Sequence, residues 1–395
     1  MRKTVRQCAA LALAGIMVVS ALTACGSGDK KAESAGAQTE SGAGDSKEAG
    51  SKAEGESSDE KALIYVIIKN RGDLSYWDSM AEGGDRAKAD FADKADIMVV
   101  ETTDDLQANL TAMYEAADKG ADLIITASDF KDNLVEVAQE FPDIATVIIS
   151  EDVVREADNI YGVDFSVSEA AFLGGIVAAD IASHGLEGTS GNKTVGFIGG
   201  MDESIVIQEF MLGYFQGAKY YQPDTKLIYN YVGGWNDPDT SRTQALTQYN
   251  DAKADVVFAC AGGSGNGVHK AASEVGKFVI GVDSDQSLMY NEDKNIQNRF
   301  ATSVLKKVGN VIYEVIGRYM EEKTLPFGQY DIYGIKADAV GLVEDDRFEK
   351  YVSDEGKAAL KKAKEDIISG TLKIEGAIGK EQAEIKAMIE EYVSQ

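Results

Sequence analysis

From Ala62 onward, short apolar runs punctuate the chain at Leu63–Ile68, Ile97–Val100, Leu123–Thr126, Val147–Ile149, Val195–Ile198, Val256–Ala259 and Phe278–Val282. Helical patterns fill the spaces between them: Asp105 to Asp118 puts Leu106, Leu110, Met113 and Ala117 on one face, and Gly120 supplies the stop. Short strands alternating with helix-length segments predict parallel sheets joined by crossover helices. The runs are apolar throughout rather than at every second position. Both faces of each sheet are therefore to be covered, as in a doubly wound α/β fold. Ligands in such folds sit beyond the carboxyl ends of the strands. The loops there read Asn70-Arg71-Gly72-Asp73-Leu74-Ser75-Tyr76-Trp77, Ser128-Asp129-Phe130, Glu151-Asp152, Gly199-Gly200, Gly233-Gly234-Trp235-Asn236-Asp237-Pro238, Ala261 to Gly267, and Asp283-Ser284-Asp285-Gln286. Polar groups and aromatics alternate in them.

The pattern ahead of Ala62 is different. Arg2, Lys3 and Arg6 precede an apolar run from Leu11 to Leu22 that ends in Leu22-Thr23-Ala24-Cys25. The run falls short of the roughly 18 residues a membrane-spanning helix needs, and small residues follow it, so residues 1–24 read as a cleaved secretory signal. Leu22-Thr23-Ala24-Cys25 resembles the lipoprotein processing box, in which the cysteine takes a diacylglyceryl group, and Cys25 is the expected lipidation site. Residues 26–60 carry no aromatic or branched aliphatic side chain, and nothing there offsets the entropy of ordering. They read as a disordered tether with a reach of about 30 Å. The expected location is the extracellular face of the membrane of a Gram-positive-type cell, held by lipid alone.

About 335 residues remain beyond the tether, which fits two lobes better than one core. Of the three cysteines, Cys8 leaves with the signal and Cys25 carries lipid, so Cys260 has no partner for an intrachain disulfide. His184 and His269 are too few for a common zinc site, and neither metal nor other cofactor is expected. The formal charge is −27, and about −30 once the basic residues of the signal are gone. Nucleic-acid binding needs a basic face and is excluded; the acidic balance reads as a solvated, repulsive surface.

Several segments, in order, carry a family resemblance. They are Ser75-Tyr76 with Glu82-Gly83, Phe165 with Glu169 and Phe172-Leu173-Gly174-Gly175, Val195 to Gly200, Ala261 to Val268, Ile280 to Gln286, and Thr302-Ser303 with Lys306-Lys307. From about Leu63 to Val343 the chain resembles the basic membrane protein family of substrate-binding lipoproteins, which includes purine nucleoside receptors. The resemblance implies a two-lobed periplasmic-binding-protein-like fold of type I with a hinged cleft, a purine nucleoside as ligand, and the permease subunits of an ABC importer as partners. The lobes are expected at 61–165 with 302–330, and at 166–301 with 331–395, joined by three crossing segments.

A purine is flat, and sandwiching it between aromatic faces contributes about 1 to 3 kcal/mol per face. Tyr76 and Trp235 are the candidates, at places where similar family members usually carry phenylalanine. Trp77 replaces a common asparagine and could add a third ring. Ribose hydroxyls both donate and accept, which a carboxylate and an ammonium satisfy together. The resemblance assigns that task to Asp283 and Lys306. Gly262 and Gly263 would let backbone amides approach the sugar. At the base edge, Asn70 stands where the family has aspartate, in a shorter loop, and Glu151 replaces a usual aspartate. Ser128, after the third strand, completes the candidate set.

Two rival readings bear on the same residues. Gly263-Ser264-Gly265-Asn266-Gly267 fails the G-x-G-x-x-G spacing, and no Gly-Lys-Ser/Thr follows, so a nucleotide-cofactor enzyme is disfavoured. His269 sits inside a crossover helix, is expected at the surface, and has no nucleophile beside it, so no catalytic residue is assigned. A same-fold binder of sugars or other small polar metabolites stays open, since Trp, Asp and Asn grip sugars too.

Overall fold

The computed structural model describes residues 61–72 and 75–394. The signal, Cys25 and the tether lie outside the described residues. In chain order the strands are β1 (Ala62–Ile68), β2 (Ala95–Glu101), β3 (Leu123–Ala127), β4 (Ala145–Ile149), β5 (Ile160–Phe165), β6 (Thr194–Gly199), β7 (Lys226–Tyr231), β8 (Val256–Cys260), β9 (Phe278–Asp283), β10 (Phe300–Lys306), β11 (Tyr330–Tyr333) and β12 (Val340–Leu342). They form two six-stranded sheets, ordered β11-β5-β4-β3-β1-β2 and β12-β10-β9-β8-β6-β7. Every pairing is parallel except that of β10 with β12, so the second sheet ends on a short antiparallel strand and is not wholly parallel as expected.

Both faces of each sheet are covered. Ile64, Val66 and Ile68 of β1 join one core cluster while Tyr65 and Ile67 join another. In the second sheet Val256, Phe258 and Cys260 face one cluster, Val257 and Ala259 the other. This is why the runs show no alternation of apolar and polar residues: a strand buried on both sides has no solvent face to mark.

Two helices of the second lobe, Val167–Ser183 and Ile205–Tyr221, pack closely because of glycine. A Cβ on Gly217 would stand 1.8 Å from the Phe172 carbonyl oxygen, and one on Gly175 2.1 Å from that of Tyr214. The Phe172-Leu173-Gly174-Gly175 motif is thus a packing signature. Helix Leu106–Asp118 is capped by Asp105, whose side chain accepts from the Gln107 and Ala108 amides. Met113 and Ala117 are buried on it as expected, whereas Leu106 is 58% exposed and the buried place in the first turn goes to Asn109.

The chain crosses between lobes after Phe165, after Lys306 and after Tyr333. The middle crossing falls later than residue 301, because all of β10 pairs within the second sheet. Helix Val308–Glu322 returns to the first lobe, where Gly309 meets Ser79 and Gly83 of helix Tyr76–Asp90. The last crossing falls after 333 rather than 330, because β11 pairs with β5.

Candidate functional site

The carboxyl ends of both sheets meet. The Ser75 hydroxyl, in the first lobe, donates to the Asp283 carboxylate at the end of β9 over 2.8 Å. The Lys306 ammonium, at the end of β10, donates to the Ser150 hydroxyl at the end of β4 over 2.9 Å. A cleft of about 200 Å³ opens beside these contacts, with Ser79, Glu82, Asp283, Ser284 and Lys306 among its lining residues.

Lys306 is only 3% exposed. Its ammonium lies 4.9 Å from the Tyr76 ring centre and 5.0 Å from that of Phe165, both within cation–π range. Burial pulls its pKa below the usual lysine range, and the charges of Asp164 and Asp283 partly oppose that shift. Asp164 is itself held by the Tyr330 hydroxyl at 2.6 Å and the Phe165 amide at 2.8 Å. The Tyr76 hydroxyl is buried, and burial pushes its pKa well above the ordinary tyrosine value. The wall behind includes Cys260, whose thiol burial also pushes up, so it stays protonated and unreactive.

Two backbone outliers mark this place. Ser150 has φ of +66° and Asp283 of +65°, left-handed values that cost non-glycine residues of order 1–3 kcal/mol. They end β4 and β9, one in each lobe, so the strained turns sit on opposite walls of the same cleft.

Tyr76, Asp283 and Lys306 are therefore brought together. Trp235 stands in the second lobe, 43% exposed, with its ring against Gly200 and Gly262. Among the described residues no ring contact joins it to Tyr76, whose ring neighbour is Trp77 at 5.1 Å, edge to face. Gly262 has φ of +54°, and a Cβ there would meet the Trp235 ring at 3.5 Å. A Cβ on Gly263 would fall 2.8 Å from the Asn236 side-chain oxygen. The room these glycines leave is taken by the Trp235-Asn236 turn.

Of the remaining candidates, Trp77 touches that group through its ring contact with Tyr76 and Glu151 directly follows Ser150, while among the described residues no hydrogen bond, ion pair or ring contact joins Asn70 or Ser128 to it. Trp77 packs against Phe130 at 6.0 Å, with the Lys69 ammonium 5.5 Å from its ring. Glu151 pairs with Lys131 at 3.1 Å. Asn70 is exposed and donates to the Arg71 carbonyl in its own loop. Ser128 opens the 3₁₀ turn Ser128–Phe130 and is half-buried.

Sequence reasoning passed over Ser75, Ser150 and Asp164. Ser150 and Asp164 lie at strand ends, which was the one available signal. Ser150 falls between the apolar run Val147–Ile149 and the loop Glu151-Asp152, and Asp164 belongs to a strand the apolar pattern did not reveal.

His269 is fully buried, not at the surface. Its Nδ1 lies 3.1 Å from the Tyr290 hydroxyl, and burial lowers its pKa to about 3, so it is a neutral core residue. Among the described residues no three His, Cys, Asp or Glu side chains are grouped to hold a metal, and no helix is long and apolar enough to cross a membrane.

Two parallel-sheet lobes meeting at their carboxyl edges define a periplasmic-binding-protein-like fold. An ABC transporter solute-binding protein from Aeropyrum pernix shares this fold, with a TM-score of 0.70 at 24% identity over 85% of this chain and 98% of its own. The chain belongs to the Bmp family, described as ABC transporter substrate-binding protein PnrA-like, which matches residues 61–377. Basic membrane protein D of Borreliella burgdorferi is 29% identical over 82% of this chain and 90% of its own length. The ABC transporter nucleoside-binding protein BmpA of Lactococcus lactis is 33% identical over 58% of this chain and 63% of its own. The protein is thus the binding component of an ABC transporter, with a small-molecule ligand and a permease as partners, and not an enzyme.

Proposed function

We propose that the chain captures a purine nucleoside between its lobes at the outer face of the membrane, anchored through lipid on Cys25, and delivers it to the permease. One observation carries this reading: the buried Lys306 ammonium beside Asp283 at the mouth of adjacent strands. A ribose diol accepts from the first and donates to the second, which relieves a buried charge in a way that an apolar ligand does not. Tyr76 and Trp235 stand on the two lobes as aromatic surfaces for a base, and the nucleoside-binding protein of Lactococcus lactis is a relative.

A ligand present at a hundred times its Kd stabilises the fold by about 2.7 kcal/mol, which a thermal-shift assay reads easily. Adenosine, guanosine and inosine are expected to raise Tm, with a smaller rise for hypoxanthine and none for free ribose. A rise with pentoses and none with nucleosides would move the ligand to the sugar class.

A further inference from the structure

Around Lys306 the cleft holds more hydrogen-bond donors than it uses. The ammonium has one hydrogen-bond acceptor among the described residues, the Ser150 hydroxyl, which leaves two of its N–H groups open. Ser150 accepts that bond, so its own O–H is directed elsewhere. The Tyr76 hydroxyl is buried and unpaired; Ser150 lies beside it, yet no hydrogen bond of ordinary geometry closes between them. A phenylalanine would fill the same space without leaving an oxygen buried and unsatisfied.

We propose that Ser150 and the Tyr76 hydroxyl contact the ligand and determine specificity, forming with Lys306 a subsite for one sugar hydroxyl. The proposal rests on the nucleoside reading and adds residues to it. The trio offers mainly donors, so it takes an oxygen that accepts. The charges of Asp164 and Asp283 act on the same ammonium, so an anionic oxygen would be repelled. A hydroxyl satisfies both sides, accepting from the trio and donating to a carboxylate. The left-handed backbone at Ser150 sets its hydroxyl toward Lys306 while its amide stays tied to the Val163 carbonyl at 2.7 Å. Ser150 and Tyr76 belong to the first lobe and Lys306 ends a strand of the second. The subsite is complete only when the lobes meet, so the same hydroxyl that is recognised also favours closure.

The test is calorimetric titration of the full chain and its Ser150→Ala and Tyr76→Phe variants with adenosine, 2′-deoxyadenosine, 3′-deoxyadenosine, ribose and 2-deoxyribose. Alanine keeps the left-handed strain of serine, so Ser150→Ala isolates the hydroxyl, and circular dichroism checks the fold. Ser150→Ala is expected to weaken adenosine about tenfold and to leave one of the two deoxynucleosides within about twofold, so that discrimination between them collapses. Tyr76→Phe is expected to act in the same direction. Equal loss for all nucleosides, or no loss, overturns the subsite while the nucleoside reading stands. If ribose binds and adenosine does not, the nucleoside reading fails, and ribose against 2-deoxyribose decides the subsite. Binding of none of the probes overturns both.

Discussion

Asp283 and Lys306 end adjacent strands, with Leu305 in register opposite Asp283, and that neighbourhood gives each a testable role. Asparagine tolerates a left-handed backbone better than most residues, so Asp283→Asn removes charge without adding strain. It is expected to weaken ribonucleosides at least tenfold while sparing hypoxanthine, as measured by calorimetry, because a free base offers no hydroxyl to the lost carboxylate. Trp235→Ala removes a partly exposed ring and should hurt every purine alike, by about 1 to 3 kcal/mol, with little change in Tm. Both positions were legible in the sequence as polar or aromatic residues just past predicted strands. Ser150 was not, because its partner Lys306 lies 156 residues away and no local pattern records such a contact. Asn70 and Glu151 show the reverse: their loop positions were legible, but neighbouring Arg71 and Lys131 engage them.

Elements whose strands are buried on both faces announced themselves. Strands β1, β3, β4, β6, β8 and β9 are apolar because helices cover both sides, and six of the seven runs read from the sequence fall inside them; the seventh, Ile97–Val100, lies in edge strand β2, where Met98 is 42% exposed. Strand β10 was hidden by Thr302 and Ser303, polar yet buried, and edge strand β7 by its half-exposed residues. At the helix pair Val167–Ser183 and Ile205–Tyr221, Gly217→Ala sets two effects against each other. Alanine improves helix propensity by about 1 kcal/mol, but its Cβ would stand 1.8 Å from a backbone oxygen that yields only if the helices part. The clash wins, and chemical denaturation is expected to show a net loss of about 1 to 3 kcal/mol. Helix Gly265–Val275 carries the buried His269 and a pH signature. Its folded pKa of about 3 lies below the usual 6.5, so its contribution to stability is full above pH 6.5 and is lost as pH falls toward 3. Over that window wild type should lose stability more steeply than His269→Gln, by up to about 1.4 kcal/mol per pH unit. Parallel curves from denaturant titrations would contradict the burial of a neutral imidazole.

At the scale of the whole molecule, the site residues lie at the carboxyl edges of parallel strands, as the alternation of runs and helices implied, whereas the two lobes were expected from chain length and the three crossings came with the family resemblance. The crossing points did not follow, since they depend on which sheet β10 and β11 join. Anchoring belongs to this scale as well: Cys25→Ala is expected to release the chain into the medium, and its retention in washed membranes would contradict the lipid anchor. The central claim, that a purine nucleoside binds where the lobes meet, is tested most directly by calorimetric titration of wild type and Lys306→Met with inosine. The account predicts one site per chain in wild type and a loss of a hundredfold or more in the variant, about 2.7 kcal/mol, with the fold retained. Inosine binding that is unchanged in Lys306→Met, or absent from wild type, would contradict it.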